Sequence, residues 1–535
     1  MNDRKTALLI FLAGLFVFTF ATSYLEFLRM DCRFGVFANE MKEYGIGLFP
    51  TLYGKAYTDY PATQTILIYL SSRLFGGLSM FTASLPSAIA GALTLSFIYL
   101  IGALRSRRVG FYGVIFSFLT YGFLSAARSP STDIFITAVT ACVFYITHNS
   151  EERNAKVPLL FIPFLLAAGF AFRGPIGLII PAAVIFAYYA VSGKYKKAVI
   201  GGILSGVVLL LCVAAFYYAA LHQGGKEFAD EIINSQIHSR MSKQKHIFYY
   251  FTDAFGVYSL AYPLALIVIV SSWKKLFSRS DDKDIKFIKQ LSAWAFIIML
   301  GLSVPGTKHM RYILPVIPAL SLICAFIFEE ATNGSFIPFF RRFLIKTVMI
   351  LTFICAILFP IAHIVFKSIT LPIEVNIAFL IPAFILLAIT MSVYHSLKKN
   401  MTPEKKSLGL LALAALSFVL LDISFIEPLY QGIESSSAFV KKTEFQRILS
   451  GSNLFFYRTG PDGEDIKYMV NTERPVIPGF ISSPDDIEAL SATDIIISGE
   501  SEFDKLPPEI KDNCLSVCRG KMGHRKFISF QYNPK

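Results

Sequence analysis

Apolar runs of about 20 residues recur along this chain, the length a helix needs to cross the roughly 30 Å hydrocarbon core of a bilayer. About 13 segments qualify. They lie near 7–24, 80–103, 109–126, 131–148, 157–172, 174–192, 198–221, 255–272, 291–305, 311–328, 344–366, 373–396 and 407–425. Of the 535 residues 54% are hydrophobic and only 16% charged, where an ordinary soluble domain carries about 25% charge. The sequence therefore predicts a polytopic α-helical membrane protein. The first run lacks a small-residue cleavage site and leads straight into charged residues, so it reads as a retained span.

Lysine and arginine are shared unevenly among the connections. Basic residues mark the N-terminus (Arg4, Lys5) and then every second connection: Arg105, Arg107 and Arg108; Arg153 and Lys156; Lys194, Lys196 and Lys197. The series goes on through Lys274 to Lys289, Arg341 and Arg342, and Lys398, Lys399, Lys405 and Lys406. Short cytoplasmic loops hold positive charge, so the alternation predicts an odd number of spans, N-terminus inside and C-terminus outside. The net charge of +13 then follows from topology and implies no nucleic-acid partner.

Residues 1–428 read as the membrane body, with two long outer loops at 25–79 and 222–254. From 429 to 535 the composition becomes that of a small soluble α/β domain. SSSAFVKKTEFQRIL has a helical pattern, NLFFYR, IKYMV, DIIISG and RKFISFQY have strand patterns, and SSPDDIEALSA carries a helix-start signal. Seven cysteines show no metal-ligand spacing. Cys142, Cys212, Cys324 and Cys355 fall in apolar runs as small hydrophobes, while Cys514 and Cys518 form a pair that an oxidising compartment would permit to bridge.

The first outer loop holds the densest polar signal, MDCRFGVFANEMKEYGIGLFPTLYGKAYTDYP, from Met30 to Pro61. Phe34, Phe37, Met41 and Tyr44 recur at helical spacing, which predicts an amphipathic helix on the membrane surface. Asp31 would cap it, and Gly45, Gly47 and Pro50 would end it. A second short helix is expected from Pro61 to Phe75, capped by Thr58 or Asp59. Capping alone is the plain structural explanation for both aspartates.

Taken in order, these motifs resemble a known family. D-C-R-F-G-V-F-A-N-E-M, G-L-F-P-T-L-Y-G and T-D-Y-P-A, then A-R-S-P-S-T-D around Asp133, F-R-G-P-I-G-L-I-I-P at 172–181, Q-I-H-S-R with K-H-I-F-Y-Y-F, and G-T-K-H-M-R-Y-I-L-P at 306–315 are similar to signatures of the polytopic GT-C glycosyltransferases. Those enzymes take sugars from polyprenyl phosphate, and the likeness is greatest to the lipid A aminoarabinose transferases and their protein mannosyltransferase relatives. Cys32 stands where the family has an acidic partner for Asp31, and Tyr60 where it has a phosphate-binding lysine.

The resemblance implies a bacterial inner-membrane enzyme, working as a monomer, that uses an undecaprenyl-phosphate sugar on the periplasmic side. Lipid A or the lipopolysaccharide core is the implied acceptor, with another glycan or a protein as the alternative, and a polyprenyl-lipid flippase as the rival from another class. Cleaving the bond from the anomeric carbon to a phosphate oxygen releases a weakly basic group, so cations that stabilise the departing phosphate serve better than a strong acid. Arg33, Arg240, Lys308 and Arg311 are the candidate cations, and Tyr60 and Tyr312 candidate hydrogen-bonding partners of the same phosphate. Asp31 and Asp133 are the candidate catalytic carboxylates, Asp31 as base if the acceptor is a hydroxyl. Asp59 with His238 or His246 would supply ligands for a divalent metal. Lys308, His309 and Arg311 also fit a simpler role as interfacial anchors.

Overall fold

The computed structural model describes residues 2–28, 31–59, 61–242, 245–278, 282–329, 338–347, 350, 403–461, 463–472 and 474–534, with the side chains of 31, 233, 235–242 and 403–406 outside that description. The spans expected at 344–366 and 373–396 lie outside it for all but the first few residues. The described chain is largely helical, with a small sheet domain after the last apolar helix.

Among the described residues five helical stretches are long and apolar enough to cross a bilayer: Asp3–Tyr24, Met80–Ala103, Tyr195–Ile232, Lys283–Ser303 and Ser407–Glu434. Several other expected spans are broken or short. Helices α5 (Arg107–Phe118) and α6 (Tyr121–Arg128) bend by 74° about residues 119–120. The 255–272 segment divides between Tyr249–Val257 and Ala261–Ser271. Helix α8 (Ile162–Arg173) meets α9 (Pro175–Val191) at Gly174, whose φ of +63° turns the chain where a side chain would be strained. Pro315 and Pro318 hold Met310–Val316 as a 3-10 segment ahead of Ile317–Ala325. The expected loop at 222–254 is helical as far as Ser242, in a stretch from Tyr195 broken only at Gly225.

Helix α4 (Met80–Ala103) is the central post. Ser79 and Thr82 close a capping box at its start, and it touches α1 (Asp3–Thr19), α5, α6 and α7 (Thr132–Arg153). The basic connections gather at one end of the bundle through ion pairs: Arg107 with Asp3 at 2.7 Å, Arg105 with Asp284, Arg108 with Glu329 at 3.9 Å, and Lys194 and Lys197 with Glu151. The opposite end carries the start of α7, the end of α8 and α2 (Asp31–Tyr44).

The last apolar helix does not stop at 428. It passes through a π turn, Asp422–Ile426, into Glu427–Glu434, where Pro428 occupies the tolerated first turn. Beyond it lies a five-stranded sheet, order β4-β3-β5-β7-β6, built from β3 (Leu454–Tyr457), β4 (Gly479–Ile481), β5 (Ile495–Gly499), β6 (Cys514–Met522) and β7 (Arg525–Tyr532). Strand β3 runs parallel to β4 and β5, while β7 runs antiparallel to β5 and β6. The helix Ser437–Ser450 lies where its pattern predicted. The IKYMV strand is instead a helix, Asp465–Met469, because Asp465 accepts the Gly463 amide at 2.7 Å and starts a turn. Cys514 and Cys518 are free; they stand on one strand, about 13 Å apart at strand rise, well beyond bridging distance.

Helix α2 begins at Asp31 and ends at Gly45 (φ +88°), as its sequence indicates. Its apolar side is not left to the membrane surface: Phe34, Val36 and Phe37 share one buried cluster with Phe439, Val440, Tyr468 and Val470 of the C-terminal domain. The following helix, α3, runs Thr63–Leu74 with Ala62 in the cap position, so neither Thr58 nor Asp59 serves as its cap.

Candidate active site

Three remote segments meet at the end of the bundle away from the basic belt. Asp133 lies in the first turn of α7, Arg173 closes α8, and Arg311 belongs to the 3-10 segment Met310–Val316. The Asp133 carboxylate is 3.4 Å from the Arg173 guanidinium and 3.8 Å from that of Arg311. Asp133 and Arg173 are buried, whereas the Arg311 side chain keeps 35% of its exposure, which leaves it open to a ligand. Arg173 also donates to the Thr132 hydroxyl and stacks 4.7 Å from the Tyr312 ring, which has Arg311 at 5.7 Å as well.

Lys308 is buried and donates to the Lys245 carbonyl at 3.0 Å, while the Lys245 amide donates to Gly306 at 3.3 Å. That pair of bonds brings the end of the second long outer segment to the same place. His309 sits among these groups: burial lowers its imidazole below the ordinary value, and Arg311, Lys245 and Arg173 push it lower while Asp133 opposes them. Three cations face one carboxylate around this ring, which is the charge pattern of an anion site. Sequence reasoning did not nominate Arg173 or Lys245 as site residues, although it grouped His309 with Lys308 and Arg311. A lone arginine at the end of an apolar run reads as an anchor, and only the F-R-G-P run marked its position.

The residues of the first loop form a second group. Arg33 lies over the Tyr57 ring at 5.6 Å, Tyr57 packs on Phe37 at 4.9 Å, and the Tyr57 hydroxyl donates to Asp59 at 3.4 Å. The chain then enters α3, where the Thr63 hydroxyl donates to the Ala171 carbonyl at 2.6 Å, two residues before Arg173. The loop thus bridges the two groups. Tyr60 and the side chains of Asp31, His238 and Arg240 lie outside the described residues.

A cavity of about 690 Å³ opens between the end of α2 and α10 (Tyr195–Ser242), lined by Met41, Tyr44, Leu48, Phe49, Ala215 and Tyr218 among others. Gln223 shapes its rim, accepting from the Leu48 and Phe49 amides and donating to the Phe49 carbonyl. The wall continues through Phe49, Phe216 and Phe170 in ring contact, which brings it to within one turn of Arg173. The apolar window of α10 is only 6% buried, so this groove borders the lipid-facing side of the bundle.

Metal binding finds no support in the described donors. Asp59 is engaged by Tyr57, the His246 ring lies 6.0 Å from Tyr249, and no three His, Cys, Asp or Glu groups cluster among the described residues.

A profile for the family described as dolichyl-phosphate-mannose-protein mannosyltransferase matches residues 59–218. In solved structures the whole chain superposes on ArnT from Cupriavidus metallidurans bound to undecaprenyl phosphate, with a TM-score of 0.72, 15% identity and coverage of 99% of this chain and 98% of that one. The apo form of the same protein gives 0.70 over the same coverage at 14% identity. The fold is that of the GT-C transferases. Among curated proteins, the undecaprenyl phosphate-alpha-4-amino-4-deoxy-L-arabinose arabinosyl transferase of Yersinia enterocolitica is 23% identical over 319 residues, 57% of this chain and 55% of its own length. An uncharacterised protein of Aquifex aeolicus is 23% identical over 299 residues, 54% and 56% of the two chains. The match therefore spans just over half the length of these curated relatives. Together these likenesses bear out the GT-C resemblance seen in the motifs and mark an integral membrane protein.

Proposed function

We propose that this GT-C protein is an inner-membrane glycosyltransferase that moves a sugar from an undecaprenyl-phosphate donor to a periplasmic acceptor, with lipid A or the lipopolysaccharide core as the acceptor and inversion at the anomeric carbon. The observation that carries this reading is the meeting of Arg173, Arg311, Lys245 and Asp133 about His309, beside an apolar groove that borders the lipid-facing helix α10. A phosphodiester with an isoprenoid tail needs such a pairing of charge and grease.

In this mechanism Arg311, the exposed member, binds the phosphate oxygens and stabilises the charge that grows as the anomeric bond breaks. Asp133 does not attack. Its buried carboxylate lies between Arg173 and Arg311 and holds both guanidiniums in place, so it is a positioning group for the cations. Arg33 and Asp59 line the approach from the first loop, and Asp31, at the head of α2, is the group that receives or orients the acceptor. Tyr60 brings no charge, and Arg173 and Lys245 supply the cations that compensate for it.

The test is transfer by purified protein in detergent, with product read by mass spectrometry from an undecaprenyl-phosphate sugar and lipid A. Asp31→Asn and Arg311→Ala should abolish product while leaving insertion and folding intact. Full activity in both variants would remove this site from the reaction. A protein acceptor is the second reading, favoured by the mannosyltransferase profile over residues 59–218, and the same assay with periplasmic protein in place of lipid A decides between them.

A further inference from the structure

Residues 51–56 form a tight hairpin between α2 and the C-terminal domain. Strand β1 (Thr51–Leu52) pairs antiparallel with β2 (Lys55–Ala56), and the two turn residues, Tyr53 and Gly54, both have positive φ, +56° and +73°. A tyrosine at positive φ is strained, so something must hold it. Glu40 does: its buried carboxylate accepts the Tyr53 amide at 2.5 Å and the Gly54 amide at 3.2 Å. On the far side of the turn the Tyr53 hydroxyl donates to Asp465, which is fully buried at the head of a helix in the C-terminal domain. The Tyr53 ring also lies 5.5 Å from Phe480 of β4.

We propose that Glu40 and Asp465 are positioning residues that grip the hairpin turn from opposite sides, so that the C-terminal domain forms part of the support of the active site and sets the place of Tyr57 and Asp59. The hairpin ends one residue before Tyr57, whose amide donates to the Pro50 carbonyl at 2.8 Å and whose ring carries Arg33. A shift of the turn is thus passed directly to the groups on the approach to the cation site. The same face of α2 is tied to the domain again by Asn39, which donates to the Thr472 carbonyl at 3.4 Å, and by Val470 against Gly35. The catalytic part of this inference rests on the transferase reading; the mechanical part does not.

The experiment uses the full chain in lipid nanodiscs and compares Glu40→Gln, Tyr53→Phe and Asp465→Asn by hydrogen exchange of residues 51–57, thermal midpoint and transfer kinetics. Exchange of 51–57 should quicken about tenfold in each variant at an unchanged thermal midpoint. Turnover should fall about tenfold with little change in donor KM, as displacement of a positioned group does. Combining Tyr53→Phe with Asp465→Asn should add nothing to either alone. Unchanged exchange in those two variants, which remove one hydroxyl or one charge, overturns the proposal even if Glu40→Gln fails to fold. A loss of turnover that merely follows a loss of thermal stability overturns it as well. If the wild-type protein transfers no sugar, the transferase reading fails, while the exchange data still uphold or refute the grip on the turn.

Discussion

His309 gathers around it Arg311, Lys245, Arg173 and Asp133, groups drawn from the second long outer segment, α8, α7 and its own strand of chain. Its lowered pKa has a definite sign. A histidine held below its ordinary value stabilises the fold fully above that value, and the contribution is lost as pH falls through the lowered folded pKa. On the proposed function, a phosphodiester bound here would reverse the charge balance and draw a proton onto the ring. Affinity for an undecaprenyl-phosphate sugar should therefore tighten as pH falls towards the lowered pKa of the free protein, and His309→Gln should flatten that slope. Binding isotherms across pH 5–8 for the two proteins measure the difference; equal slopes would place His309 away from the phosphate. The motif set His309 beside Lys308 and Arg311 but carried no sign of Lys245, Arg173 or Asp133, which reach it from other segments.

At the scale of elements, the bundle is joined by a buried knot that no local pattern announces. Arg128, at the end of α6, makes two 2.7 Å bonds to Glu427 and donates to the carbonyls of Val17 and Phe20 at the end of α1. It fastens the first helix, the α6 elbow and the last apolar helix together. Arg128→Ala would leave Glu427 and those carbonyls facing apolar surroundings, and loss of one member of such a pair costs about 3–5 kcal/mol. A drop in thermal midpoint of the detergent-solubilised protein, with Arg128→Lys recovering only part of it, is the expected result. The elements themselves were partly legible: α2, α4 and strands β3, β5 and β7 follow from apolar spacing and turn chemistry, whereas the hairpin at 51–56 was not read from the sequence. IKYMV was misread because four apolar or aromatic residues in five satisfy a strand template equally well, and Asp465 folds back instead to accept the Gly463 amide just ahead of the helix. Strand β6 went unseen because Cys514 to Met522 alternates weakly and pairs only through β7.

For the molecule as a whole, positive charge on alternate connections is mirrored by the ion pairs that collect those connections at one end. If that end faces the cytosol, the sheet domain and the site face the periplasm. A single cysteine introduced at exposed Leu515 in a chain cleared of its other cysteines should react with a membrane-impermeant maleimide added to intact spheroplasts. One introduced at Lys196 should react only after lysis; the reverse pattern would invert the topology. What the sequence by itself determined is the membrane class, the count-wise alternation of charge and the family likeness, because hydropathy and charge are properties of local composition that a bilayer reads one segment at a time. What only the tertiary structure decided is the site: which cations surround Asp133, how the C-terminal domain grips the Tyr53 turn, and where the helices break. The first two depend on side chains from 40 residues apart, as Asp133 and Arg173 are, to 412 apart, as Tyr53 and Asp465 are, coming within reach of one another, and spacing along a chain carries no record of that.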